Sequence, residues 1–163
     1  MLLFASAGLD SMAKQLVQDA LPRVIQRQPG ARENLREFIE RRLARDDRTA
    51  ARLVGLALSS DDPRGEVITE LVAELVGGSL QSAEELSRLA AYFDIPTADL
   101  IGDHRFASDI FAARNQITHE LDVDFAQDQA RHRRPRDRDT MLAYTTELSR
   151  IAAVLLREVE ARV

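Results

Sequence analysis

Cysteine and tryptophan are both absent from the 163 residues. Without cysteine there is no disulfide, no thiolate zinc site, no CxxC redox pair and no cysteine nucleophile, and a reducing, cytoplasmic setting is the expectation. Aromatic residues make up only 5% of the chain, and no aromatic cage for a small ligand can be picked out. Long apolar runs are missing as well. The one at the front, residues 1–7, is far shorter than the ~20 residues of a membrane span and lacks a basic flank, so neither insertion nor export is expected. Lysine is nearly absent: Lys14 is the single lysine among 22 basic residues. The remainder are arginines, the better bidentate partners for phosphate. Against them stand 27 acidic residues, for a net charge of -5. The chain therefore has no global basic field to draw it to nucleic acid, and any such attraction must be local.

What is present is the composition of a folded helical domain, 45% hydrophobic and 30% charged. A chain of this length buries roughly 70% of the surface its unfolded form exposes, enough for a core without staples. No linker divides it, so residues 1–163 read as a single domain. Proline and glycine punctuate it at a few places, and between them the apolar spacing is helical, which predicts an all-α bundle of about six to seven helices. The first helix runs from about Leu2 or Leu9 to Arg27, with Pro22 placed to bend it. A second starts near Ala31, a third is capped by Thr49, and a fourth spans Glu66 to Val76. Ser82 and Glu85 form a capping box for a fifth, which Pro96 ends. A sixth spans about His104 to Leu121 and a seventh about Asp139 to Arg162.

Common catalytic motifs are missing: there is no GxxxxGK loop, no GxGxxG turn and no GxSxG elbow. His119-Glu120 opens like HExxH, but Val123 stands where the second histidine belongs. Asp122, Asp124 and Asp128 have the chemistry to ligate a hard cation, yet solvated loop carboxylates are far commoner, so no metal and no cofactor are expected. The sixth helix is more informative. Phe106, Ile110, Ala113, Ile117 and Leu121 form one stripe, expected to face the core. Nearly opposite lie Ser108, Ala112, Asn115 and His119, flanked by Ala107 and Phe111. That second face is small and partly apolar where a solvent face would carry Glu, Lys or Arg, and a second subunit or a ligand would explain it. Arg114, five residues before His119, lies ~140° away round an ideal helix. The two converge only if the helix ends there or if they meet across two chains.

The string Ala113-Arg114-Asn115-Gln116-Ile117-Thr118-His119-Glu120 resembles the R-N-x-x-x-H motif of the HEPN superfamily, small helical domains many of which are ribonucleases. The motif sits near the end of a penultimate long helix, ahead of a loop and a final helix. The segments from Leu9 to Pro22 and from Phe38 to Leu43 are similar to the opening of the RiboL-PSP-HEPN group, so the likeness covers most of the chain. In that group the first helix often carries an acidic residue followed four positions later by a basic one, which Asp10 and Lys14 fit. Read without the family, they are an i,i+4 surface pair worth only ~0.3 kcal/mol.

The resemblance implies a HEPN-like bundle and a metal-independent endoribonuclease, in a toxin or antiviral-defence role with an antitoxin or defence partner. In such a site the 2′-hydroxyl of RNA attacks the adjacent phosphorus. His119 would transfer the proton, Arg114 would hold the oxygens where charge builds up, and Asn115 would orient the imidazole or donate to phosphate. HEPN sites are generally composites of two domains, implying a homodimer through the Ala107–His119 helix face. Asp10 and Lys14 would support the site. Between Arg131 and Arg138 the chain packs five arginines into eight positions. Close to the motif, Arg131, Arg133, Arg134 and Arg136 are expected to contact the RNA strand. The alternative is a non-catalytic HEPN dimerisation or interaction module of a defence or toxin-antitoxin system. A small-ligand sensor with a pocket between helices is a more remote third.

Overall fold

The computed structural model describes residues 1–120 and 134–163, and all eight helices and no strand lie among these described residues. Helix α1 (Leu2–Arg27) is continuous through Pro22, burying Leu9, Ala13, Val17, Ala20, Leu21 and Val24 at three- and four-residue spacing. That spacing keeps one face toward the core along its whole length. Helix α2 (Pro29–Arg45) starts two residues earlier than expected, because Pro29 occupies the first turn, where its missing N–H costs nothing. Helix α3 (Asp47–Ser59) is capped by Asp46, not by Thr49. The Asp46 carboxylate accepts from the Thr49 N–H and hydroxyl, both at 2.8 Å, which places Thr49 inside the first turn. Helix α4 (Pro63–Gly77) opens on Asp62, whose side chain accepts from the Gly65 N–H.

The cap half of the expected box is present: the Ser82 hydroxyl accepts from the Glu85 N–H and opens α5 (Ala83–Tyr92). What ends α5 is not Pro96. The helix stops at Asp94, which adopts the left-handed conformation at φ 57°, a position usually given to glycine. Pro96 instead precedes the short α6 (Thr97–Leu100). Asp94 is held there by its neighbours. Its carboxylate accepts from the Gly30 N–H at 3.2 Å and its carbonyl from Arg162 Nε at 2.9 Å. A Cβ at Gly30 would lie 2.1 Å from Asp94 Oδ1, so a larger residue there would push the carboxylate from its place on the Gly30 N–H.

Helices α7 (His104–His119) and α8 (Arg138–Glu160) complete the bundle. One hydrophobic cluster runs through all of it, from Leu2 to Val159. Helices α1 and α8 pack together and run in the same direction. Leu2 and Leu3 meet the start of α8 at Met141 and Leu142, and at the far end Gln28 Nε2 donates to the Arg162 carbonyl at 3.4 Å. No helix among the described residues is long and apolar enough to cross a membrane.

Candidate active site

Asp103 caps α7, accepting from the Arg105 and Phe106 N–H groups at 2.9 and 3.1 Å. From there the helix is held on several sides. Ala107, Ile110, Phe111 and Ala113 are buried, and the Phe106 ring meets Tyr144 of α8 edge-on at 5.3 Å. This corrects the expected second face. Ala107 is 0% and Phe111 3% exposed, so neither can belong to an interface between copies. The cause is that α1 and α5 both pack on α7. Its buried arc is therefore wider than the single stripe that faces one neighbour. Of that face, Ala112, Asn115 and His119 remain exposed. Ser108 is half-buried and donates its hydroxyl to the His104 carbonyl at 2.9 Å.

The last turn and a half of α7 carries the motif out of the core. Arg114 is half-buried, and its Nη1 donates to Asn115 Oδ1 at 2.9 Å. With its oxygen engaged, the Asn115 amide presents its NH2 group as the half left to donate. His119 is exposed and makes no hydrogen bond or ion pair with the described residues. The helix is unbroken through His119, so within one chain Arg114 remains ~140° round from it. Beyond it the Glu120 N–H closes the helix on the Gln116 carbonyl at 3.1 Å.

The returning chain is tied to this end of α7. Arg136 Nη2 donates to Gln116 Oε1 at 2.8 Å, and Arg134 forms an ion pair with Glu120. Gln116 and Glu120 were not singled out from the sequence, because a tether between positions 14 and 20 residues apart leaves no periodic signal. Arg131 and Arg133 lie outside the described residues, as do Leu121, Asp122, Asp124 and Asp128. Next to the motif, Ile117, Arg136 and Met141 line a largely apolar cleft of about 530 Å³, with residues 1–3 along its other side.

Asp10 and Lys14 do pair, at 3.0 Å, but their setting is structural. The other Asp10 oxygen accepts from the Leu80 N–H at 2.7 Å. The carboxylate thus fastens the turn between α4 and α5 to α1. No hydrogen bond or ion pair joins either residue to Arg114, Asn115 or His119. Compared with protein-family models, curated proteins and solved structures, the chain has no match.

Proposed function

We propose that the protein is a metal-independent endoribonuclease of the HEPN type, acting in a toxin or defence role, with Arg114, Asn115 and His119 as its catalytic residues. The observation that carries this reading is the position of the motif. It occupies the exposed end of a helix whose earlier turns are locked in the core, so the reactive groups are presented on a rigid mount. Histidine is the side chain suited to take and return a proton near neutral pH. Here His119 removes the proton from the 2′-hydroxyl. The oxygen attacks phosphorus, the P–O5′ bond breaks, the 5′-oxygen takes up a proton from an imidazolium or from water to leave as a hydroxyl, and the other product ends in a 2′,3′-cyclic phosphate. Arginine donates in pairs to the non-bridging oxygens, stabilising the charge of the crowded intermediate. Because Arg114 and His119 point to different sides of one helix, the complete site takes Arg114 from one chain and His119 from another. A homodimer through Ala112, Asn115 and His119 provides that arrangement.

The test is incubation of purified protein with total RNA in EDTA, with mapping of the cleaved ends. Cleavage that persists in chelator, yields cyclic phosphate ends and disappears in His119→Ala supports the reading. Full activity in His119→Ala, or strict metal dependence, refutes it. A non-catalytic interaction module is the second reading, favoured by the net charge of -5 and by large exposed apolar side chains at Met1, Phe4 and Leu142. It predicts that expression is tolerated equally with and without His119, whereas a nuclease is toxic only with it.

A further inference from the structure

Away from α7, four arginines converge where α2, α4 and α5 meet. Arg42 Nη2 donates to one oxygen of Glu74 at 2.7 Å, and Arg88 Nη2 engages the other. The single carboxylate therefore holds two guanidinium groups apart at fixed positions. Each is also set against an aromatic ring, Arg42 at 5.4 Å from the Phe38 centroid and Arg88 at 6.0 Å from that of Tyr92. Arg41 donates to the Tyr92 hydroxyl at 2.8 Å. Arg45, one turn further along α2, adds its charge to the Thr49 hydrogen bonds in holding the Asp46 carboxyl below the usual range and donates to none of the described residues. Two further carboxylates reach the rim, Glu37 at 4.0 Å from Arg41 and Glu85 at 3.9 Å from Arg88. These arginines line two adjoining hollows of about 370 and 210 Å³ that share Arg41 and Glu74.

A set of surface salt bridges needs about as many carboxylates as guanidiniums, each spending its donors on its partner. Here Glu74 is the one carboxylate, among the described residues, that accepts hydrogen bonds from these arginines, Glu37 and Glu85 standing off at 4.0 and 3.9 Å, so most of the guanidinium N–H groups are not spent on the described residues, in a protein that is acidic overall. The charge is concentrated, Arg42 and Arg88 are held in place by Glu74 and by the rings of Phe38 and Tyr92, and the hollows in front of them are open. Preset planar donors are what phosphate oxygens need for paired hydrogen bonds. Tyr92 is 3% exposed, so its ring is not free to stack on a base. The contacts on offer are to phosphate oxygens alone.

We propose that this groove binds two adjoining phosphate groups, one in each hollow, through Arg41, Arg42, Arg45 and Arg88. The phosphates come either from a free polyphosphate chain or from the backbone of a single RNA strand. The site is separate from the α7 motif and stands whether or not that motif cleaves RNA. The experiment therefore reads binding, in the His119→Ala protein, with inorganic tripolyphosphate as one probe and an oligouridylate as the other. Titration calorimetry compares this parent with Arg41→Ala/Arg45→Ala and with a charge-matched control, Arg64→Ala/Arg105→Ala. All four substituted arginines are exposed, and circular dichroism checks that each variant is folded. The groove variant is expected to bind at least about tenfold more weakly, the loss of a charge-assisted hydrogen bond or two, with the control within about twofold. Binding of tripolyphosphate alone identifies a free polyphosphate as the source. Binding of oligouridylate that tripolyphosphate displaces, with a salt slope reduced by about 0.7 for each lost phosphate contact, identifies the RNA backbone. Equal losses in groove and control variants, or no binding of either probe by the parent, overturn the proposal.

Discussion

The two ends of α7 are one helix with two fates. From Phe106 to Ala113 it is gripped by α1, α5 and the Tyr144 ring, and its apolar positions are buried on more than one side. From Arg114 to His119 it carries an arginine, an asparagine, a threonine and a histidine, with only Ile117 packed against the core. Packing accounts for most of the first part, where only Asp109 and Ala112 are exposed. It accounts for almost none of the second. There Arg114 bonds to Asn115 and Thr118 to the Arg114 carbonyl, both at 2.9 Å, and Gln116 accepts from Arg136 of the returning chain. Core geometry thus fixes where the exposed end points without constraining what it carries, a division that suits a reactive surface.

The sharpest way to break this contrast is to exchange stability and activity between the two ends. His119→Ala and Arg114→Ala should each lower RNA cleavage by a factor on the order of 10² to 10⁴. Their unfolding free energies should stay within ~0.5 kcal/mol of the parent by denaturant titration. Ile110→Ala, at a fully buried position, should do the reverse and cost ~2 to 5 kcal/mol. Activity should survive at any denaturant concentration where that variant remains folded. A smaller effect concerns the exposed positions between these ends. Ala112→Arg should leave the fold intact but yield an inactive monomer by light scattering, if the two-chain site is right. An active monomeric parent at micromolar concentration would remove that step.

The smallest effect lies beyond the motif, where the chain re-enters the bundle. The Thr140 N–H and then its hydroxyl hold the Asp137 carboxyl below the usual aspartate range, and the Thr49 N–H and hydroxyl do the same for Asp46. A carboxyl with a lowered folded-state value adds stability that is fully present above its ordinary value of about 3.9 and is lost as pH falls through the folded one. The first turns of α8 and α3 should therefore keep their caps at neutral pH and fray only in acid. Amide exchange at Thr140 and Thr49 should accelerate below about pH 3.9 beyond the trend of mid-helix amides. Unchanged protection there would mean that the caps contribute little.

Local chemistry was the legible part of the sequence. Helical spacing gives the long helices within a few residues, and Ser82 with Glu85 marks a cap that the structure contains. Where the reading failed, the cause was a distant partner or an atypical residue. The stop of α5 carries no glycine because Asp94 takes the left-handed conformation with Gly30 and Arg162 holding it. Four residues are too few for α6 to show a period. Ala107 and Phe111 were placed on a free face because a single helix cannot report how many neighbours it has. Asp10 and Lys14 were legible as a pair. That the carboxylate also fastens Leu80, 70 positions away, was not.

The parallel contact of α1 with α8 bears on how the chain is made. It joins positions well over a hundred residues apart, as does the bond from Gln28 to the Arg162 carbonyl, 134 positions along the chain. Loop closure of this length costs little at equilibrium, since each doubling adds only about 0.6 kcal/mol. During synthesis the account is different. At about 5 to 20 residues per second, α8 follows α1 out of the ribosome by roughly 5 to 20 seconds. For that interval the side of α1 that α8 will cover has no partner within its own chain. An apolar face left open for that long is exposed to wrong contacts until α8 arrives to cover it.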